Sequence, residues 1–159
     1  VKLLGHSYLA QILGGGNYLD SLSVPAQIPA VYALLSEVPN TNANILYVAS
    51  SYGLGMKLIK EAGYQNLEGI DMDLKALTFC LEQGLNSTFM DATNLNFEDG
   101  IFDLTISRDF IDWTYLDRRD RISALNEQYR VLKPRGSAVF TSMVDITHMD
   151  IMVCLRMKL

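Results

Sequence analysis

The sequence predicts a protein of the α/β class with a doubly wound, mostly parallel sheet. Short apolar runs alternate with helical patterns, as in parallel strands joined by crossover helices. In addition, residues Ile45 to Asp71 read as a strand, a small polar turn, a helix and a second strand, which is the order of a nucleotide-binding βαβ unit. We therefore expect strand order 3-2-1-4-5, with a C-terminal strand antiparallel beside the fifth.

Composition and charge indicate which kinds of protein and partner the sequence favours. The chain has 159 residues, 49% of them hydrophobic and 19% charged, which suits one compact domain over residues 1–159. The net charge of −5 and the lack of a basic patch disfavour a nucleic-acid partner. No run approaches the ~20 apolar residues of a membrane span. Two cysteines and two histidines predict reduced thiols, a cytoplasmic location and no metal site.

Residues 1–40 predict a helical cap. Leu3 to Leu13 has one short helical pattern, and Gly14 to Gly16 would form a flexible joint. A second helical pattern begins at Pro25 or Pro29. The cap would either pack on the sheet edge or act as a lid hinged at the glycines, and both readings stay open.

The βαβ core is predicted to span residues 45–143. The first unit comprises a strand at Ile45 to Ala49, a turn at Ser50 to Gly55, a helix at Met56 to Ala62 and a strand at Leu67 to Ile70. The later elements are a helix at Leu74 to Gln83 ended by Gly84, strands at Asn86 to Met90 and Phe102 to Ser107, a helix at Arg118 to Leu132, a turn at Lys133 to Gly136 and a strand at Ser137 to Met143.

The C-terminal element, residues 144–159, is less regular. Ile151 to Leu159 alternates in a period of two, which predicts a strand. Because the link from the fifth strand is too short for a crossover, this strand should pair antiparallel. A short helix is the alternative.

Five stretches carry a resemblance to a known family. They are Ile45 to Gly53, Gly69 to Asp73, Met90 to Ala92, Phe102 to Ser107 and Ala124 to Gly136. In this order they resemble the motifs of the class I S-adenosylmethionine-dependent methyltransferases, most closely the quinone-biosynthesis C-methyltransferases and their small-molecule relatives. The resemblance implies a Rossmann-like fold, S-adenosylmethionine as cofactor, a small-molecule methyl acceptor, and a possible homodimer or partner subunit.

Cofactor contacts are expected at the strand ends. An acid after the second strand, Asp71, can accept hydrogen bonds from both ribose hydroxyls, although it could instead cap the following helix. By resemblance, Met72 would flank the adenine ring, Asp91 would accept from the adenine amino group and the backbone of Ala92 would meet a ring nitrogen. Ser107 would lie under the methionine portion. The complete predicted set is Ala49, Ser51, Gly53, Asp71, Met72, Asp91, Ala92 and Ser107.

Three positions depart from the family pattern. The family usually has an acid where this chain has Tyr47, and glycine where it has Ser51 and Arg135. The Ser51 side chain would approach the methionine part of the cofactor. Tyr47 would either fill the mouth of the pocket or turn inward to the core.

No dedicated acid or base is required for in-line methyl transfer, whose main need is orientation of the two reactants. The catalytic residues are therefore left unassigned. Asp109 and His6 are candidates by position, each with a structural role as its alternative. Trp113 and Tyr115 could line the substrate pocket, or they could be hydrophobic packing under the cap.

Three functions remain open on the sequence. The first is a small-molecule methyltransferase. The second is a cofactor-binding or inactive relative that acts as a structural or regulatory partner, which Tyr47 and Ser51 favour. The third is a nicotinamide-dependent oxidoreductase, which would have a complete glycine fingerprint; Leu58 at its third glycine position argues against it.

Overall fold

A six-stranded sheet with helices on both faces forms the part of the protein that the structure describes. The computed structural model describes residues 38, 40–108, 110, 116–144 and 149–155, with side chains up to Phe140. The predicted cap over 1–40 therefore lies outside the described residues except for Val38 and Asn40. The candidates His6, Asp109, Trp113 and Tyr115 also lie outside them.

The elements follow one another as predicted, and within the core their ends differ by one or two residues, except that the fifth strand begins five residues earlier than predicted. They are β1 (Ile45–Val48), α1 (Leu54–Glu61), β2 (Leu67–Asp71), α2 (Leu74–Glu82), β3 (Ser87–Phe89), β4 (Phe102–Arg108), α3 (Arg118–Val131), β5 (Leu132–Val144) and β6 (Met149–Leu155). None of the helices in the described ranges is long and apolar enough to cross a membrane.

The sheet has the order β3-β2-β1-β4-β5-β6. The first five strands are parallel, so the predicted 3-2-1-4-5 order is confirmed. β6 pairs antiparallel with β5, where the sequence had suggested a strand over 151–159. Val48 lies opposite Ile70 on one side and Ser107 on the other. The carboxyl ends of β1, β2 and β4 therefore meet at one edge, where open α/β sheets bind their ligands.

The alternation of β1 divides the core between two faces. Ile45 and Tyr47 pack on the side of α1 and α2, whereas Leu46 and Val48 pack on the side of α3. All four side chains are buried, as expected of a central parallel strand covered on both faces. Because α1 and α2 share one face, the turns that precede them open at the same corner of the carboxyl edge.

The predicted turn at Lys133 to Gly136 lies inside β5 as an irregularity and does not precede the strand. Pairing with β4 passes from Phe102 opposite Leu132 to Leu104 opposite Ser137. The extra residues of β5 form a bulge, and Arg135 takes a left-handed φ of 70° there. Left-handed backbone normally suits glycine, which gives a physical reason for the glycine that the family prefers at this position.

Candidate cofactor site

The turn between β1 and α1 repeatedly adopts left-handed backbone. Ala49, Ser51 and Gly53 have φ angles of 54°, 49° and 74°. Gly53 is also required by space, because a Cβ there would lie 2.5 Å from Leu85 Cδ1 and 2.8 Å from Cys80 Sγ. The alternating conformation brings main-chain atoms of the turn to the carboxyl edge. Two of the three left-handed positions nevertheless carry a side chain, at a cost of roughly 1–2 kcal/mol each.

Asp71, at the end of β2, holds this turn in place. Its Oδ2 accepts a hydrogen bond from the Ser51 N–H at 2.7 Å, and its Oδ1 accepts from the Asp73 N–H at 2.9 Å. The helix-cap alternative for Asp71 is wrong: Asp73 caps α2, with Oδ1 accepting from the Lys75 and Ala76 N–H groups. A carboxylate oxygen has two acceptor sites, so both oxygens of Asp71 can still accept from a ligand.

Tyr47 turns inward, and the alternative that it fills the pocket mouth is wrong. Its ring is only 4% exposed and belongs to the cluster beneath α1. Gly55 makes room for it, since a Cβ at that residue would lie 2.7 Å from Tyr47 Cε2. The family's acid is thus replaced by an aromatic side chain that packs below the turn and leaves its outer side clear.

Cys80 supports the turn from below, a role that the sequence did not reveal. The buried thiol donates to the Ser51 carbonyl at 3.2 Å. Burial, followed by the nearby charge of Asp71, raises the pKa of this thiol. It therefore stays neutral and acts as a hydrogen-bond donor. The available signal was its place with Ala76 and Leu77 on the buried stripe of α2.

Asp91 and Met72 lie on the outer side of the same edge. Asp91 Oδ1 accepts from the Thr93 N–H and hydroxyl, both at 2.8 Å. No described residue donates a hydrogen bond to its Oδ2. Met72 is 59% exposed, whereas Ala92 is buried against the core. Asp91 thus presents one oriented carboxylate oxygen to solvent beside an exposed apolar side chain.

The two acids are brought close by the β2–β3 pairing. The Met90 N–H donates to the Asp71 carbonyl at 3.1 Å, so the residue before Asp91 is bonded to Asp71 itself. Ser51, Asp71 and Asp91 therefore form one connected group of the predicted residues. Gly53 and Met72 lie within two residues of members of this group.

Ser107 occupies a different environment. Its side chain is fully buried on the α3 side of the sheet, in register with Val48 and Phe140. Within the described residues its hydroxyl has no hydrogen-bond partner, and the same holds for the Thr105 hydroxyl and the Gln128 amide. The sequence did not indicate this buried polar group. A contact of Ser107 with a ligand at the edge would have to come through its backbone.

A left-handed turn after β1, an acid at the end of β2 that holds it and a second acid after β3 are the arrangement expected of a nucleotide-type cofactor site on a Rossmann-like fold. Residues 46–140 match the family described as "Methyltransferase domain". The chain therefore belongs to the methyltransferase family, as the motifs predicted. That family implies S-adenosylmethionine as the cofactor.

Curated relatives agree with this assignment. The chain is 33% identical over 118 residues to the ubiquinone/menaquinone biosynthesis C-methyltransferase UbiE of Rickettsia bellii, covering 66% of this chain and 46% of the relative. It is 34% identical over 116 residues to the UbiE of Rickettsia felis, covering 65% and 45%. The chain thus spans about half the length of these relatives.

Solved structures share the fold. A putative S-adenosyl-L-methionine-dependent methyltransferase from Methanococcus maripaludis superposes with a TM-score of 0.67 at 17% identity, covering 86% of this chain and 62% of that one. The cyclase SpnF superposes with a TM-score of 0.65 at 20% identity, covering 74% and 45%. At these identities the likeness concerns the architecture alone.

Proposed function

We propose that this protein binds S-adenosylmethionine at the carboxyl edge of its sheet and transfers the methyl group to a small molecule. The observation that carries the proposal is the connected group of Ser51, Asp71 and Asp91, with free acceptor sites on both acids. These acceptors suit the hydroxyls of a ribose and the amino group of an adenine. The family membership supports the same ligand.

The proposed binding roles are those that the family resemblance implies, and the exposure and hydrogen bonding of each residue support them. Asp71 accepts from the ribose hydroxyls while it holds the turn. Asp91 Oδ2 accepts from the adenine amino group, the Ala92 backbone meets a ring nitrogen, and exposed Met72 covers one face of the ring. The backbone from Ala49 to Gly53 lines the methionine portion, because its left-handed residues bring main-chain atoms to the edge.

When bound, the cofactor supplies a methyl group on a positively charged sulfur, which a nucleophile can attack in line. The protein's part is to fix the cofactor and to hold the acceptor opposite the methyl group, so that orientation lowers the barrier. The names of the curated relatives support a small biosynthetic acceptor. The cytoplasmic location, and the lid or cap role of residues 1–40, belong to the same proposal.

A second candidate is a methyltransferase-like partner that binds the cofactor weakly and does not turn over. The observation that favours it is the turn itself, where Ala49 and Ser51 carry a Cβ at left-handed positions. Each Cβ projects from a backbone that should approach the ligand closely. The two candidates differ in turnover, whereas both require cofactor binding.

Calorimetric titration tests the proposal. S-adenosylhomocysteine should bind the wild-type chain, and a nicotinamide dinucleotide should not. Asp71→Ala should weaken S-adenosylhomocysteine binding by about 1.5–3 kcal/mol, the usual worth of hydrogen bonds to a charged group. Asp73→Asn is the matched control, because it removes a neighbouring charge while asparagine still caps α2.

The outcomes separate the candidates. A folded wild-type protein that binds no adenosyl ligand would contradict both. An Asp71→Ala variant that binds as tightly as the wild type would refute the ribose role. Tight binding without methyl transfer to a panel of quinone precursors and other small acceptors would favour the inactive partner.

A further inference from the structure

We propose that Arg130 and Glu127 of α3 are positioning residues for the adenine end of the cofactor site. They act through the loop of residues 90–101, which carries Asp91 and Ala92. The inference rests on the proposed function, since it assigns to this pair the selection of adenine over other bases. Neither side chain would touch the ligand.

From α3, the two side chains bind the main chain of the loop through several charge-assisted hydrogen bonds. Arg130 Nη2 donates to the Leu95 carbonyl at 2.8 Å, and Arg130 Nη1 donates to the Phe97 carbonyl at 2.8 Å. Glu127 Oε2 accepts from the Leu95 N–H at 2.7 Å. Both backbone groups of Leu95 are therefore bonded to the two side chains, so the position and the orientation of this peptide segment are fixed together.

The pair is itself held rigid. Arg130 Nε and Nη2 donate to the two carboxylate oxygens of Glu127 at 2.8 and 2.7 Å, a bidentate arrangement. Arg130 Nη1 also donates to Asp99 Oδ1 at 2.6 Å. The Arg130 side chain is 30% exposed and that of Glu127 19% exposed. A lysine could not make these bonds simultaneously, because they need the planar fork of the guanidinium.

The hydrogen bonds to Leu95 also constrain Asp91, because a short hydrogen-bonded turn connects the two residues. The Asn94 N–H donates to the Asp91 carbonyl at 3.1 Å, and the Asn96 N–H contacts Met90 Sδ at 3.4 Å. The other end of the turn is fixed where the Met90 N–H bonds to β2. Thr93 then orients the Asp91 carboxylate. Fixing Leu95 thus fixes the direction of Asp91 Oδ2, the group that would accept from the adenine amino group.

Base discrimination gives a readout that a purely structural role would not change. The probes are S-adenosylhomocysteine and S-inosylhomocysteine, in which a carbonyl replaces the amino group and would face the carboxylate. Wild-type protein should prefer the adenosyl compound by about tenfold or more, the effect of about 1.4 kcal/mol from one lost hydrogen bond. Arg130→Lys should reduce this preference to about threefold or less, since a displaced carboxylate no longer distinguishes the bases.

Two further variants serve as a milder test of the same contact and as a matched control. Asp99→Asn removes the charge of a carboxylate that is 79% exposed and so weakens one bond to Arg130, and it should lower the preference less without threatening the fold. Arg119→Lys is the matched control, because Arg119 is exposed on the same helix and its side chain makes no hydrogen bond or ion pair with any residue in the described ranges. Hydrogen exchange of the free proteins should show faster exchange over 92–97 in Arg130→Lys but not in Arg119→Lys.

The results distinguish the positioning role from the proposed function. A folded Arg130→Lys variant that keeps both the wild-type preference and slow exchange would overturn the positioning role and leave the methyltransferase proposal intact. Equal binding of the two compounds by the wild type would also overturn the positioning role, because Asp91 would then not distinguish adenine from hypoxanthine. Wild-type protein that binds neither compound would contradict the proposed function, and with it the base-reading role.

Discussion

The two loops at the carboxyl edge are held in opposite ways. The β1–α1 turn, residues 49–53, depends on its own backbone, with three left-handed residues and one carboxylate from Asp71. The loop of residues 90–101 depends on side chains from α3, where Arg130 and Glu127 bind its main chain. The turn should therefore respond to added or removed Cβ atoms, and the loop to changes in charge.

The largest expected effect on stability is that of Gly55→Ala at the start of α1, directly after the turn. The new Cβ would lie 2.7 Å from Tyr47 Cε2 and Cζ, in a fully packed region between α1 and the sheet. Overpacking of this kind costs about 1–3 kcal/mol, and a close aromatic ring puts it at the upper end. Urea unfolding followed by circular dichroism measures the loss.

Gly84→Ala is the control for this substitution. Gly84 has a left-handed φ of 69°, but a Cβ added there would have no atom within 4 Å, so alanine meets backbone strain and no overlap. Its cost should be about 1 kcal/mol. A Gly55→Ala variant that loses no more stability than Gly84→Ala would show that Tyr47 moves easily.

Ala49→Gly is expected to raise the stability of the protein, by less than Gly55→Ala lowers it. Glycine relieves the left-handed backbone at φ 54°, and this gain exceeds the extra entropy of the unfolded chain, leaving about 0.5–1 kcal/mol of added stability. Arg135→Gly should behave similarly, since Arg135 has a φ of 70° far from the turn. Both are measured by urea unfolding.

Ala62→Gly provides the contrast for the glycine series. Ala62 lies at the end of α1 with an ordinary φ of −74° and packs partly against the core. Glycine there adds unfolded-state freedom and removes a methyl contact, and it should destabilise by about 1 kcal/mol. If Ala49→Gly and Ala62→Gly both lower the stability, the left-handed backbone at Ala49 carries no strain.

The smallest expected effect on stability comes from the charge of Glu127, which helps to hold the loop of residues 90–101. Hydrogen bonds from Arg130 lower the pKa of Glu127 below its ordinary 4.5. The folded state therefore holds this proton less tightly than the unfolded state. The stabilisation is present above about pH 4.5 and is lost as the pH falls through the lowered pKa. Because the pair is partly exposed, it is worth only about 0–1 kcal/mol.

Glu127→Gln should flatten the acid limb of the stability curve between about pH 5 and pH 3. Exposed Glu98, in the same loop, serves as the control through Glu98→Gln. Urea unfolding at several pH values gives the slopes. Parallel curves for Glu127→Gln and the wild type would mean that the Arg130 contact does not depend on the charge of Glu127.

Local patterns predicted the elements well because each depends on neighbouring residues. The apolar run from Ile45 and the helical stripe of α3 gave their positions within one or two residues. The bulge at Lys133 to Gly136 could not be placed this way. Its turn residues are local, but its place inside β5 depends on pairing with Phe102 and Leu104, about thirty residues earlier.

The sequence by itself determined the order of strands and helices and the acids that follow β2 and β3, since a strand end is a local feature and parallel strands share one carboxyl edge. Only the tertiary structure decided which way Tyr47 points, that Asp71 bonds to Ser51 while Asp73 caps α2, and that Arg130 and Glu127 hold the loop of Asp91. Most of these contacts join residues 20 to 35 positions apart. Their partners are chosen by register and packing between separate elements, which no local pattern records.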